Sequence, residues 1–324
     1  RQRTHDGTVT LVSSVGRVRG VYTSSCRTPA VLQVGVLSSL AAALIFGVYL
    51  FVYKRSFDSL PSTVYVATVE VAGFCWYAII AALTWPAGEP LVPTDFGTRT
   101  ALLLVGVCAA IAAANLVSIR AFKLGDVSYV APLNKLVPAF VLPIEIVVLA
   151  AQPTSIQVVG LTLAVVAIYV ANYEGGELLV PFRRAASYRP AQLALAGAVL
   201  FAISDVGTRG LLSRTGLTPQ AVALATFAAV ALVALPLAAR RVVWTTLRPA
   251  VPGIVALAAL FAVGVHLTVT AFAAAPASVV SPIVNTQAVV AVLLGGVLLH
   301  EKGLPRRLAA AVLAVGGVAL IAVG

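Results

Sequence analysis

Ten separate runs of about 20 apolar residues divide this chain, near residues 32–53, 62–85, 100–121, 127–149, 156–173, 190–212, 218–239, 250–273, 277–299 and 304–323. A helix of that length crosses the roughly 30 Å of hydrocarbon in a bilayer and pairs its own backbone groups on the way. A soluble domain has no place to hide so many. Of the 324 residues, 60% are hydrophobic and only 10% are charged, with a mean hydropathy of +1.01, which one soluble core could not bury. The expected fold is therefore an all-α integral membrane protein with ten transmembrane helices.

Most connections between the runs are short, so consecutive helices are expected to run antiparallel and no soluble domain fits between them. The longest, 174–189, carries Glu174, Glu177, Arg183, Arg184 and Arg189 and divides the runs five and five. The division predicted is a polar, disordered tail over 1–31, a first five-helix unit over 32–173, a linker over 174–189 and a second unit over 190–324. Shifting the sequence by 150 sets Ala121-Phe122 on Ala271-Phe272, Ser128 on Ser278, Val130 on Val280 and Pro132 on Pro282. A shared pattern at one offset marks an internal repeat. Because each unit holds an odd number of spans, the two copies must face opposite ways, and inverted repeats are a common transporter plan with the substrate site near the midplane.

The formal charge of +11 does not point to nucleic acid. Arg1, Arg3, Arg17, Arg19 and Arg27 lie in the tail and most other basic residues lie in loops, which is how membrane proteins place them. No basic face with interleaved aromatics on a soluble fold is present. Cys26, Cys75 and Cys108 are odd in number, and two fall within apolar runs, so they read as packing residues rather than a disulfide or metal framework. The tail holds no run long enough for a signal-peptide core, so the first true span is expected to lead the chain into the membrane.

One stretch is more specific. From Ala271 to Gly324 the chain has Pro282, an apolar helix ending Leu298-Leu299-His300-Glu301, a basic turn from Lys302 to Arg307, and a final helix with Gly316-Gly317. This resembles the C-terminal end of an EamA-type repeat of the drug/metabolite transporter superfamily, and Ser38 to Asn172 resembles the same repeat. Two positions differ from the family pattern: Ala151 stands where Glu301 has its counterpart, and Glu70 occupies a place in the second helix where the family often carries a basic residue. The resemblance implies a secondary transporter, an exporter of metabolites, amino acids or drug-like compounds, with no cofactor beyond proton coupling, multi-pass in the cell membrane.

An ionisable group inside a transmembrane helix costs at least about 2.5 to 3.5 kcal/mol, so each needs a partner, a wet cavity or a function. Glu70 in run two, Lys135 in run four, Asp205 in run six and His266 in run eight are the candidates. Lys135 either neutralises, pairs with a carboxylate such as Glu70 or meets an anionic substrate, and Glu70 is a carboxyl that could exchange a proton during transport. Asp205 and Arg209 are four apart and are expected to pair on one helical face. His266 is either a proton relay or a residue hydrogen-bonded to a neighbour, with no second histidine close by for a metal. Glu145, a turn from the end of its run, is expected to reach interfacial water.

Proline frees backbone carbonyls and bends helices. Pro132, Pro138 and Pro143 fall in run four and Pro282 at the equivalent place in run nine, and paired interruptions in two halves point to a binding site. Asn134, Lys135, Asn285, Thr286 and Gln287 follow them and offer donors and acceptors at similar depth, either to a small-molecule substrate or as glue between helices. His300-Glu301-Lys302, at a helix end beside Arg306 and Arg307, reads as a salt bridge or an interfacial cap. Gly295-Gly296 and Gly316-Gly317 allow close helix approach, within the chain or in a homodimer. Tyr49, Tyr53, Trp76, Tyr77 and Trp85 read as interfacial or core aromatics.

The odd-numbered loops hold Lys54, Arg55, Lys123, Arg183, Arg184, Arg189, Arg240, Arg241, Arg248, Lys302, Arg306 and Arg307. The positive-inside rule makes that side cytoplasmic and puts both termini outside, whereas the family resemblance implies cytoplasmic termini. No Walker A motif is present, so ATP-driven transport by this chain alone is not expected. A carrier of anionic metabolites by exchange is a related alternative. An intramembrane lipid-modifying enzyme or protease would need clustered catalytic groups, and neither a zinc-binding His pair nor a Ser, His and Asp set occurs in suitable context. A receptor-like protein would show no saturable flux of solute.

Overall fold

Inside hydrocarbon a backbone must satisfy its own N–H and C=O groups, and a chain this apolar does so by coiling nearly everywhere it can. The computed structural model describes residues 29–57, 59–90, 92–125, 130, 133–171, 187–298 and 304–323. Among them are eleven helices: α1 (Pro29–Ser56), α2 (Ser62–Thr84), α3 (Thr98–Leu124), α4 (Val137–Leu149), α5 (Ser155–Ala171), α6 (Arg189–Arg214), α7 (Pro219–Ala239), α8 (Trp244–Ala274), α9 (Ala277–Asn285), α10 (Gln287–Leu298) and α11 (Leu304–Val323). The predicted tail through residue 28, most of the linker, Pro132 and His300-Glu301-Lys302 lie outside the described residues.

Among the described residues, seven stretches are long and apolar enough to cross a membrane: α1, α2, α3, α6, α7, α8, and α9 with α10 taken together over Ala277–Gly295. The fourth and ninth predicted runs are not continuous helices. At 13 residues, α4 is only about 20 Å long and cannot span alone. It begins after a tight turn in which the Leu136 N–H donates to the Leu133 carbonyl at 3.2 Å. In the second half the Thr286 N–H donates to the Ile283 carbonyl at 3.1 Å, and the chain re-enters helix at Gln287. Leu136 and Thr286 are separated by the offset of 150 that relates the two sequence halves.

The described prolines Pro138, Pro143 and Pro282 do not sit at these breaks. Pro138 lies in the first turn of α4, where its missing N–H would have had no helical partner, so it starts that helix instead of interrupting it. Pro143 and Pro282 lie inside α4 and α9.

Packing repeats between the halves. α1 packs on α8 as α6 packs on α3, and α1 meets α9 and α10 as α6 meets α4. The pairs α2 with α7, α4 with α9 and α5 with α11 exchange into themselves. This is the contact set of a two-fold relation between interleaved units. The α5–α11 pair is backbone on backbone: a Cβ at Gly317 would stand 2.7 Å from the Gly160 carbonyl oxygen, and one at Gly160 would stand 2.8 Å from the Ile321 nitrogen. Gly317 thus serves internal packing, whereas Gly316 faces open space. Leu37, Leu102, Val105, Val147, Leu232 and Val312 point outward as a lipid-facing surface would.

Candidate functional site

Helical spacing puts Glu70, Gly73 and Tyr77 on one face of α2. That face meets α7 and α8, and a Cβ at Gly73 would stand 2.6 Å from Phe227 Cε1. Tyr77 is fully buried and its hydroxyl lies 3.3 Å from His266 Nδ1 on α8. His266 therefore has a hydrogen-bonding neighbour in Tyr77. Ring contacts run from Tyr49 to Phe261 at 5.1 Å, on to Phe227 at 5.8 Å and to Tyr77 at 5.5 Å, and the Tyr65 hydroxyl donates to that of Tyr49 at 3.2 Å. Tyr49 and Tyr77 are core aromatics. Glu70 is 8% exposed and lies within electrostatic reach of Tyr49, and it has no hydrogen-bond or ion-pair partner among the described residues.

Asn134 and Lys135 flank the break before α4. Asn134 Oδ1 accepts from the Ser118 hydroxyl of α3 at 3.0 Å. Gly197 makes room for this bond, since a Cβ there would stand 2.6 Å from Ser118 Oγ. On either side of Lys135, Leu133 and Leu136 pack with Ala121 of α3 and Ala191 and Ala194 of α6. Lys135 is half-buried and, like Glu70, has no partner among the described residues. The structure does not pair the two.

A third group gathers on α9. The Ser281 hydroxyl donates to Asp205 Oδ2 at 2.6 Å, and Asn285 Nδ2 donates to the Ser281 carbonyl at 2.9 Å. Arg209 does not pair with Asp205. Its Nη1 donates to the Phe272 and Ala273 carbonyls at 2.8 Å each, at the C-terminal end of α8. Those carbonyls lack helical donors, and a cation there also suits the helix dipole, so they outcompete the local carboxylate. Thr286 spends its hydroxyl on the Ile283 carbonyl at 2.6 Å. Half-buried Gln287 opens α10 with no side-chain partner among the described residues.

Glu145 overturns its expected place at the interface. It is only 2% exposed, and its two carboxylate oxygens accept from the Ala277 and Ser278 N–H groups of α9 at 2.7 and 2.8 Å. Sequence reading also passed over Ser281. The available signal was that Glu145 stands in an apolar helix with no basic residue on it, so its charge had to be met by donors elsewhere. A shallow crevice between α2, α3 and α7, lined by Thr63, Asn115 and Val230, touches none of the candidate residues.

Among the described residues the arrangement thus splits these intramembrane ionisable groups in two. Asp205, Arg209, His266 and Glu145 are engaged by protein groups. Glu70, in an aromatic interior, and Lys135, at a helix break, have no such partner among the described residues.

A family model described as the EamA-like transporter family matches the chain twice, over residues 33–173 and 189–323. No curated protein shows a sequence match to the chain. One solved crystal structure, whose description names no activity, aligns over 88% of this chain and 94% of its own with a TM-score of 0.69 and 17% identity, a likeness of fold alone. The two matches leave out little beyond the N-terminal tail and the linker, and they fall on the two units whose packing exchanges. The chain belongs to the EamA-like transporter family of the drug/metabolite transporter superfamily, a family of multi-pass membrane proteins.

Proposed function

We propose that this protein is a secondary transporter of small molecules in the cell membrane, working by alternating access, with ten crossings arranged as two inverted five-helix halves. The fourth crossing of each half is then a broken helix: the turn at Leu133 with α4, and α9 with α10. Broken helices at matching points of two repeats are where transporters bind their cargo, because the freed backbone groups and adjacent side chains can hold polar solute. Export of metabolites, amino acids or drug-like compounds is the direction the family suggests.

The observation that carries the reading is that two intramembrane charges, Glu70 and Lys135, lack partners among the described residues. Charges held in a membrane without a counter-ion are costly and are kept for function. Lys135 stands at the break and meets an anionic group of the solute. Glu70 takes up and releases the coupling proton. Asn134 and Asn285 line the two breaks, and Gln287 completes the second. The free ammonium of Lys135 also favours a second reading, exchange of anionic metabolites.

The test is solute flux into proteoliposomes with amino acids, organic anions and hydrophobic cations, with and without a proton gradient. Lys135→Ala is expected to abolish flux, and Glu70→Gln to remove its dependence on the gradient. Flux of organic anions alone, independent of the gradient, would favour exchange. Undiminished flux in both variants would reduce these residues to scaffold.

A further inference from the structure

The connection between α8 and α9 is buried, which is unusual for a helix–helix turn. Ala275 and Ala277 are fully enclosed, and α1 covers them closely enough that a Cβ at Gly35 would stand 2.5 Å from Ala275 Cβ. Its backbone groups are accounted for in a particular way. At the start of α9, Pro276 has no N–H to give, and its carbonyl takes the Val279 and Val280 N–H groups at 3.1 and 3.0 Å. The Ala277 and Ser278 N–H groups depend on Glu145 of α4. At the end of α8 the Phe272 and Ala273 carbonyls depend on Arg209 of α6. One short turn is therefore gripped at both ends by opposite charges from two other helices, each sign matched to the helix end it meets.

We infer that Glu145 and Arg209 form a latch on the α8–α9 turn that holds this end of the bundle shut and releases in the alternate state of the transport cycle. The inference rests on the transporter reading for its cycle, though not for its geometry. A static cap needs no ions, since a serine or asparagine would serve at less cost inside a membrane. The sequence gives the carboxylate of this latch to one half. At the offset of 150 the counterpart of Glu145 is Gly295, which has no side chain to cap with. Inverted repeats that alternate must differ between their halves in any one state, and a carboxylate that stands at this position in one half and not in the other supplies such a difference. Opening would strand two donors, two acceptors and two charges unless water took their place, so release of the latch and wetting of the turn are the same event.

The test reads that wetting directly and needs no transported solute. Val280 is fully buried in the first turn of α9, and Val280→Cys in a background with Cys26, Cys75 and Cys108 replaced by alanine reports its exposure to a membrane-impermeant maleimide. With the latch intact, labelling is expected to be slow but measurable. Glu145→Gln keeps one acceptor and loses the other with the charge, and it should speed labelling by about tenfold or more. Arg209→Gln should do the same independently, which covers the case in which one variant does not fold. Labelling unchanged in either variant that elutes and melts as a folded protein would overturn the latch, as would a Val280→Cys that never labels in the intact protein. Absence of flux for every solute with accelerated labelling would sink the transporter reading and leave the latch standing.

Discussion

At the scale of single residues, what matters inside this bundle is how each polar group is satisfied, because no water is present to make up a loss. Tyr77→Phe deletes the hydroxyl that meets His266 Nδ1 and leaves the ring contacts with Phe227 in place. It should cost about 1 kcal/mol, the usual net worth of one neutral hydrogen bond, whereas Tyr77→Ala should cost about 3 to 5 kcal/mol through the cavity it opens. Denaturant titration in detergent followed by circular dichroism separates the two. Gly197→Ala drives a methyl group against Ser118 Oγ and the Asn134 amide, so it should break their bond and lower stability by about 1 to 3 kcal/mol on the same assay. The identities of the ionisable residues could be read from the sequence, but their partners could not. Four-residue spacing suggested Asp205 with Arg209, yet the partner of Asp205 lies 76 residues away, those of Arg209 lie 63 and 64 away, and those of Glu145 lie 132 and 133 away. No local pattern encodes which helix end will come to need a charge.

At the scale of elements, hydropathy located the apolar runs well because length and composition are what it measures. It missed the break at Lys135 and Leu136 and the one at Thr286, because those depend on which backbone N–H turns to an i−3 carbonyl, and both sides of each break remain apolar. Pro138 and Pro282 pointed to the right neighbourhood for the wrong reason, since Pro138 starts a helix and the second break comes four residues after Pro282. Glycine pairs were similarly half-legible. Gly316-Gly317 was visible as a small face, but its use depends on Gly160, which stands alone in α5. The two neighbours should therefore behave differently: Gly317→Ala forces α5 and α11 apart at backbone contact and should lower the thermal midpoint, at about 1 to 3 kcal/mol. Gly316→Ala meets nothing within 4 Å and should be neutral or slightly stabilising. Equal losses for both would mean that α11 presents a different face to α5.

At the scale of the whole molecule, the offset of 150 was legible because both copies kept an Ala-Phe and a Ser-x-Val-x-Pro pattern. What the offset could not show is that the copies interleave. Each half packs its first helix on the third of the other, and α2 with α7 and α5 with α11 close the arrangement across the pair. Neither half then has a complete interior. The first would leave the Glu145 carboxylate without its donors, and the second would leave the Ala277 and Ser278 N–H groups bare in lipid. A chain severed in the linker, made as separate segments 1–180 and 181–324, should therefore give a copurifying pair that melts in one cooperative transition when both segments are expressed together. Each segment alone should aggregate or be degraded. A lone segment that elutes as a single helical species and melts cooperatively would mean that the halves are independent folding units and that the contacts between them are docking rather than core.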